Sequence, residues 1–153
     1  MLHFVQRSDD SGLTYGPPVF VGTDGQTGYI DVDQNDGTVY LSRQTTKQVT
    51  VAAGMPPAPG AAPTSYTDQV AATHPVAVDN IFAPVKVADD GTVYVAFSTG
   101  SYIFLAHSKD KGQTWSLPVR VNDGPETRTS LMPWIETGSK PGSVAGSGTA
   151  PAR

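Results

Sequence analysis

Two short segments repeat one set of polar side chains at one spacing. Ser8-Asp9-Asp10-Ser11-Gly12-Leu13-Thr14-Tyr15 and Ser108-Lys109-Asp110-Lys111-Gly112-Gln113-Thr114-Trp115 both read Ser-x-Asp-x-Gly-x-Thr-aromatic. The chemistry that such a set supports is hydrogen bonding within a turn. The aspartate accepts bonds from turn amides, and the glycine supplies a backbone conformation closed to residues with a Cβ. The serine and threonine tie the strand ends, and the aromatic ring turns inward over apolar surface. Ser8, Asp10, Gly12, Thr14 and Tyr15 are therefore expected to staple one hairpin, and Ser108, Asp110, Gly112, Thr114 and Trp115 another. Neither set describes a catalytic site. Asp31-Val32-Asp33-Gln34-Asn35-Asp36-Gly37 places oxygen ligands at alternating positions, as a calcium loop does. Its glycine comes one residue late and the closing glutamate is absent, so no metal site and no cofactor are expected. His3, His74 and His107 lie far apart and follow no ligand spacing; His3 and His107 are expected to pack within strands.

The elements that must hold these residues show up as further repeats. Asp-Gly-Thr-Val-Tyr occurs at 36–40 and again at 90–94, each time between two strand-like runs. A polar Asp-Gly flanked in this way is a strong hairpin signal, because the turn needs positive φ. Pro-Val-x-Val recurs at 18–21, 75–78 and 118–121, with proline tolerated at the first position of a strand. Together these define a four-strand unit: inner strand, Asp-Gly turn, second strand, third strand, box turn, and a fourth strand opening with Pro-Val. The chain then divides into half a unit at 2–21, full units at 28–78 and 82–121, and the start of another at 131–137. The expected fold class is all-β: a partial β-propeller of about two complete four-stranded antiparallel blades, a flanking hairpin and one extra strand. In the middle unit a Pro/Ala/Gly loop at 53–63 replaces the box. Such a loop is incompatible with regular helix or central strand, and it reads equally as a functional excursion or an inert insertion. Ser65–Thr73 after it is read as one helical turn. The tail at 138–153 is almost wholly Gly, Ser, Ala, Pro and Thr and is expected to be disordered.

Composition narrows the function classes. Glycine (16) and proline (13) make the chain turn-rich, and its charged share of 16% is low. The net charge is −4 with basic residues scattered, which counts against nucleic acid as a partner. No apolar run approaches the ~20 residues of a membrane span. Cysteine is absent, which excludes disulfides and thiolate metal sites. The first residues do not read as a signal peptide, and the chain is expected to begin within a repeat.

The paired motif resembles the Asp box, or bacterial neuraminidase repeat, of sialidases and of sialidase-like propellers that lack sialidase activity. The resemblance covers about residues 2–138, and Met132-Pro133-Trp134-Ile135 looks like the opening strand of a further blade. It implies a secreted propeller that binds or acts on extracellular carbohydrate, with the remaining blades of a larger propeller as partners. In that family the boxes lie at the blade periphery, away from the ligand face, so they carry architecture and not activity. The catalytic set that the resemblance implies is a Tyr nucleophile assisted by a Glu, an Asp acid/base and three arginines on the substrate carboxylate. Here there are five arginines, of which Arg7 precedes a box and Arg153 lies in the tail, and only two glutamates, Glu126 and Glu136. Arg43, at the end of a second strand, and Glu126 with Arg128, in a loop entering an inner strand, are the candidates, beside the simpler reading of loop charges. Two functions stay open: a glycoside-hydrolase-like propeller, and a non-catalytic glycan- or protein-binding scaffold. The 153-residue chain alone is expected to be inactive, and its open sheet edges to drive association or poor folding.

Overall fold

The computed structural model describes residues 1–78, 82–100, 102–122 and 131–149. Strands β1 (His3–Val5) and β2 (Val19–Gly22) form a hairpin around the first box. Strands β3 (Gln26–Val32), β4 (Val39–Gln44), β5 (Gln48–Gly54) and β6 (Thr67–Thr73) form one antiparallel sheet in chain order. Strands β7 (Val85–Val87), β8 (Val93–Thr99), β9 (Tyr102–Ser108) and β10 (Val119–Arg120) form a second. Strands β11 (Leu131–Thr137) and β12 (Val144–Thr149) make a final hairpin. The protein is thus an all-β partial propeller with two complete four-stranded blades, flanked by a two-stranded piece on either side. No helix of the described residues is long and apolar enough to cross a membrane.

Each Asp-Gly turn closes in the same way. The amide of Thr38 donates to Asp36 Oδ1 (2.8 Å) and that of Thr92 to Asp90 Oδ1 (3.0 Å). Gly37 and Gly91 both sit at φ +79°, where a Cβ is costly.

Period-two alternation then decides which face each side chain joins. On β8, Val93, Val95 and Phe97 enter one core, shared with Tyr40, Val49, Val51 and Val85 of both blades. Tyr94 and Ala96 of the same strand turn to the opposite face and meet Ile135 and Val144 of the last hairpin. On β4, Tyr40 faces the second blade, whereas Leu41 packs with Val5 and Val21 of the first hairpin. The four sheets therefore stack face to face in chain order, with apolar layers between them. Hydrogen bonds cross the layers as well: the Val87 amide donates to Asp31 Oδ2 (2.9 Å), and Ser42 Oγ donates to the Ala83 carbonyl (2.5 Å).

Three expectations change. Ser65–Thr73 is not a helical turn, because 67–73 is strand β6, registered along β5 from Gln48↔Thr73 to Ala53↔Thr67. It is an outer strand, so it tolerates polar residues on its open face. Pro75–Val78 is consequently not the fourth strand of its blade. It runs back across the β4–β5 turn, where the Val78 amide donates to the Thr46 carbonyl (2.7 Å). Finally, the segment from 138 onward is not unstructured throughout: β12 pairs with β11 from Thr137↔Val144 to Leu131↔Thr149. Backbone pairing needs no large side chains, so the bland composition hid this strand. The extra strand expected at 131–137 is one arm of a hairpin.

Candidate functional site

The two boxes have the same internal geometry, built from local bonds. Ser8 Oγ donates to Asp10 Oδ1 (2.8 Å) and accepts the Gly12 amide (2.8 Å); Asp10 accepts the Thr14 amide (2.9 Å) and hydroxyl (2.6 Å). In the second copy Ser108 Oγ donates to Asp110 Oδ1 (2.7 Å) and accepts the Gly112 amide (2.9 Å). Asp110 in turn accepts the Thr114 amide (2.8 Å) and hydroxyl (2.5 Å). Two successive residues take left-handed backbone in each turn, Ser11 with Gly12 and Lys111 with Gly112. The non-glycine member has no sequence mark, because the aspartate and serine bonds hold it there. Bonds to the Thr14 hydroxyl and amide, and then to Ser8, lower the Asp10 carboxyl to about 2. Thr114 and Ser108 do the same to Asp110, also to about 2. These carboxylates are acceptors fixed in the ionised state, unsuited to proton transfer near neutral pH.

The copies differ in what their aromatic residue touches. Trp115 donates from Nε1 to the Gly112 carbonyl (3.1 Å) and packs against the core between the two full blades. Tyr15 has no such cover and is 62% exposed. Lys111 also reaches the Asp-Gly turn of the preceding blade, 2.5 Å from Asp36 Oδ2. Burial raises the Asp36 carboxyl, but the Lys111 bond and the Thr38 amide outweigh it and hold the group at about 2.

The acidic run does not converge. Asp31 accepts the Val87 amide, Asp33 Oδ1 accepts the amide (2.8 Å) and side chain (2.9 Å) of Asn35, and Asp36 takes Thr38 and Lys111. Each carboxylate is committed to different partners, within the turn or on the second blade. Beside them lies Tyr40, fully buried, its hydroxyl without a hydrogen-bond partner. Burial first, then the charges of Asp33 and Asp36, push this phenol upward. It is held neutral, the reverse of an activated nucleophile. Tyr40 closes the Asp-Gly-Thr-Val-Tyr repeat, but the repeat assigns it no role; the two-faced burial of β4 shows where it lies.

Arg43 is 2% exposed. Its Nη1 donates to the Asp24 carbonyl (3.0 Å), Nη2 pairs with Asp68, and the guanidinium lies against Gly22, where any Cβ would collide with it. It ties the first hairpin to the outer strand of the first full blade. Arg7 pairs with Asp9 (2.6 Å) beside the first box. Arg120 lies 3.9 Å over the Tyr102 ring on the outer strand of the other blade. These three arginines are thus separately engaged. Glu126, Arg128 and Arg153 lie outside the described residues. His3 is buried, with its ring nitrogens near the Gly25 carbonyl (3.1 Å) and the Thr27 hydroxyl (2.6 Å). A carbonyl beside Nε2 requires a proton there.

A cleft of about 1100 Å³ lies between the first hairpin, β3 and the Pro-rich loop. Val5, Val19, Ile30, Val32, Met55 and Pro56 give it an apolar wall. Ala53 and Gly54 of the expected 53–63 loop are the end of β5, and the remainder, 55–63, walls this cavity on the side of the blades where the box turns lie. No family model matches this sequence, and no curated protein is significantly similar to it. What fold and geometry define is the class, a partial propeller stapled at its turns.

Proposed function

We propose that this chain forms part of a sialidase-like, Asp-box propeller that serves as a binding scaffold for extracellular glycans and does not itself hydrolyse them. The two boxes, alike bond for bond, support the family reading. The observation that carries the non-catalytic part is Arg43. A carboxylate-gripping arginine must present its fork to a ligand, and this one is sealed between Gly22, the Asp24 carbonyl and Asp68. Tyr40, buried and held neutral, adds to it. A secreted location belongs to the same proposal.

The test uses the whole chain against fluorogenic sialosides and a panel of other fluorogenic glycosides, followed by a glycan array. Expected are release no faster than the buffer blank and saturable binding to a subset of glycans. Turnover that is lost in Arg43→Met would overturn the scaffold reading. A blank array would overturn the glycan.

A further inference from the structure

The face of the first full blade that meets the second carries a buried polar patch. In the ladder between β3 and β4, Asp31 pairs with Tyr40, and one step further on the Asp33 amide donates to the Thr38 carbonyl. Side chains two apart on a strand share a face, and cross-strand neighbours on that face have Cβ atoms about 5 Å apart. Asp31, Asp33, Thr38 and Tyr40 therefore stand together, on the side that Tyr40 turns to the second blade. Asp33, Thr38 and Tyr40 are buried, whereas Asp31 is half-buried, so one edge of the patch reaches solvent.

The charge on this patch is not balanced by an ion pair. Asp31 uses Oδ2 to accept the Val87 amide, and Asp33 uses Oδ1 to accept the amide and side chain of Asn35. All of these donors are neutral. Among the described residues no lysine or arginine pairs with either carboxylate, and Lys111 is taken by Asp36. A carboxylate as buried as Asp33 is costly without a compensating charge. Its Oδ2 faces the second blade, 3.5 Å from where a Cβ on Gly91 would stand. On the same strand face the Tyr40 hydroxyl is fully buried without a hydrogen-bond partner. Burial first, and then the charge of Asp33, hold it protonated. Buried hydroxyls almost always find a partner, and this one shares its face with the unused oxygens of two carboxylates.

We propose that this patch binds a hard divalent cation, calcium, with Asp31, Asp33, Thr38 and Tyr40 supplying its oxygens. An all-oxygen set suits calcium or magnesium and not the metals that seek thiolate or imidazole. Calcium accepts irregular oxygen sets, whereas magnesium demands a near-ideal octahedron. Two carboxylates match its double charge. The set is not the linear calcium loop that residues 31–37 resemble, because Asp36 leaves it for Lys111. It is assembled across a hairpin instead. The ion acts as a clamp between blades: Asp31 already holds the Val87 amide and Asn35 the Asp89 carbonyl (3.1 Å), both on the second blade. Calcium neutralises the acidic face behind those bonds.

The probe is terbium, a luminescent stand-in for calcium, added to the whole chain after dialysis against a chelator. Tyr40 and Trp115 both lie against Gly112 beside the patch, where they sensitise a bound lanthanide. Expected is saturable sensitised emission that calcium displaces better than magnesium, together with a higher urea midpoint in calcium. Asp33→Asn should weaken binding by about tenfold or more, since even the outer-shell partners of a metal carry that much. Asp9→Asn, at an exposed carboxylate of the first hairpin, should leave binding unchanged. Absence of sensitised emission overturns the proposal. So does emission that Asp33→Asn leaves unchanged, which puts the ion on surface carboxylates. If Asp33→Asn folds poorly, Tyr40→Phe decides in its place: the ring stays in the core, weaker binding is expected, and unchanged binding overturns the site.

Discussion

Phe97→Ala tests the packing on which the whole arrangement depends. Phe97 is fully buried in the layer between the two complete blades, stacked on Phe104 with ring centroids 5.6 Å apart and planes at 18°. His74 rests against both rings, 6.3 Å from Phe97 and 4.7 Å from Phe104. Truncating a buried phenylalanine costs about 3–5 kcal/mol in lost transfer energy and cavity, and an aromatic pair adds roughly 0.5–1.5 kcal/mol. Val93 and Val95, on the same strand face, are themselves fully buried and held in the same layer. An effect of about 4 kcal/mol is therefore expected. With a urea m-value of about 2 kcal/mol/M for a chain of this size, the midpoint should fall by about 2 M. The assay is urea unfolding followed by Trp fluorescence at fixed protein concentration, since association would otherwise shift the midpoint. Phe97→Leu keeps most of the volume and should cost no more than about 1.5 kcal/mol. A loss below about 1 kcal/mol for the alanine variant, well short of a buried aromatic truncation, would refute face-to-face packing of the two blades.

Two further outcomes follow from single groups. Arg43→Ala removes the buried strut between hairpin and blade. It should destabilise by about 2–3 kcal/mol in the same assay, toward or below the lower end for a broken buried pair because Asp68 is partly exposed. Arg43→Lys should recover only part, since a single ammonium cannot reproduce a fork to Asp24 and Asp68. An alanine variant within about 0.5 kcal/mol of the unaltered chain, an effect as small as a surface substitution, would show that the strut carries nothing. The box carboxyls give a pH signature. Asp10 and Asp110 sit at about 2 in the fold, below the ~3.9 of an unfolded aspartate. Their contribution is thus complete above about pH 5 and lost as pH falls towards 2. Carboxyl NMR titration should place both midpoints near 2, and Thr114→Val should raise that of Asp110 while leaving Asp10 in place. Midpoints in the ordinary aspartate range would dismiss the staple.

Where pattern and structure agree, the residues act locally. The Asp-Gly turns and boxes were legible because their bonds stay within single turns, so residue type at fixed spacing determines them. Pro-Val located β2 and β10 because proline there opens an outer strand next to a box turn. The same motif misled at 75–78, where the fourth strand had already been formed by 67–73 through pairing with β5. That pairing is nonlocal, and Thr67-Asp68-Gln69 shows no alternation that would announce it. β12 was hidden for the same reason: Ala145, Gly146 and Gly148 carry no strand signal, and its form comes from nonlocal causes, the pairing with β11 and the packing of Val144 on the second blade. Arg43 was singled out for its position at the end of a strand, but its partners come from elsewhere. Asp24 lies in the turn before β3 and Asp68 in β6. No spacing rule links them.

The boxes show why a repeated motif predicts shape better than energy. The two turns make the same four bonds at closely matched lengths. Both carboxyls are depressed alike, because every cause is internal to the motif. What the motif adds to packing depends on the sheet in front of it. Gly112 lies 3.7 Å from the Tyr40 ring and 4.0 Å from Ala53 at the position of an added Cβ, and Trp115 and Lys111 extend the contact across the layer to the core and to Asp36. Among the described residues, none of another sheet lies within 4 Å of an added Cβ at Gly12, and Tyr15 is exposed. Identical local chemistry therefore stabilises two different amounts of structure, and the difference measures what a neighbouring blade contributes.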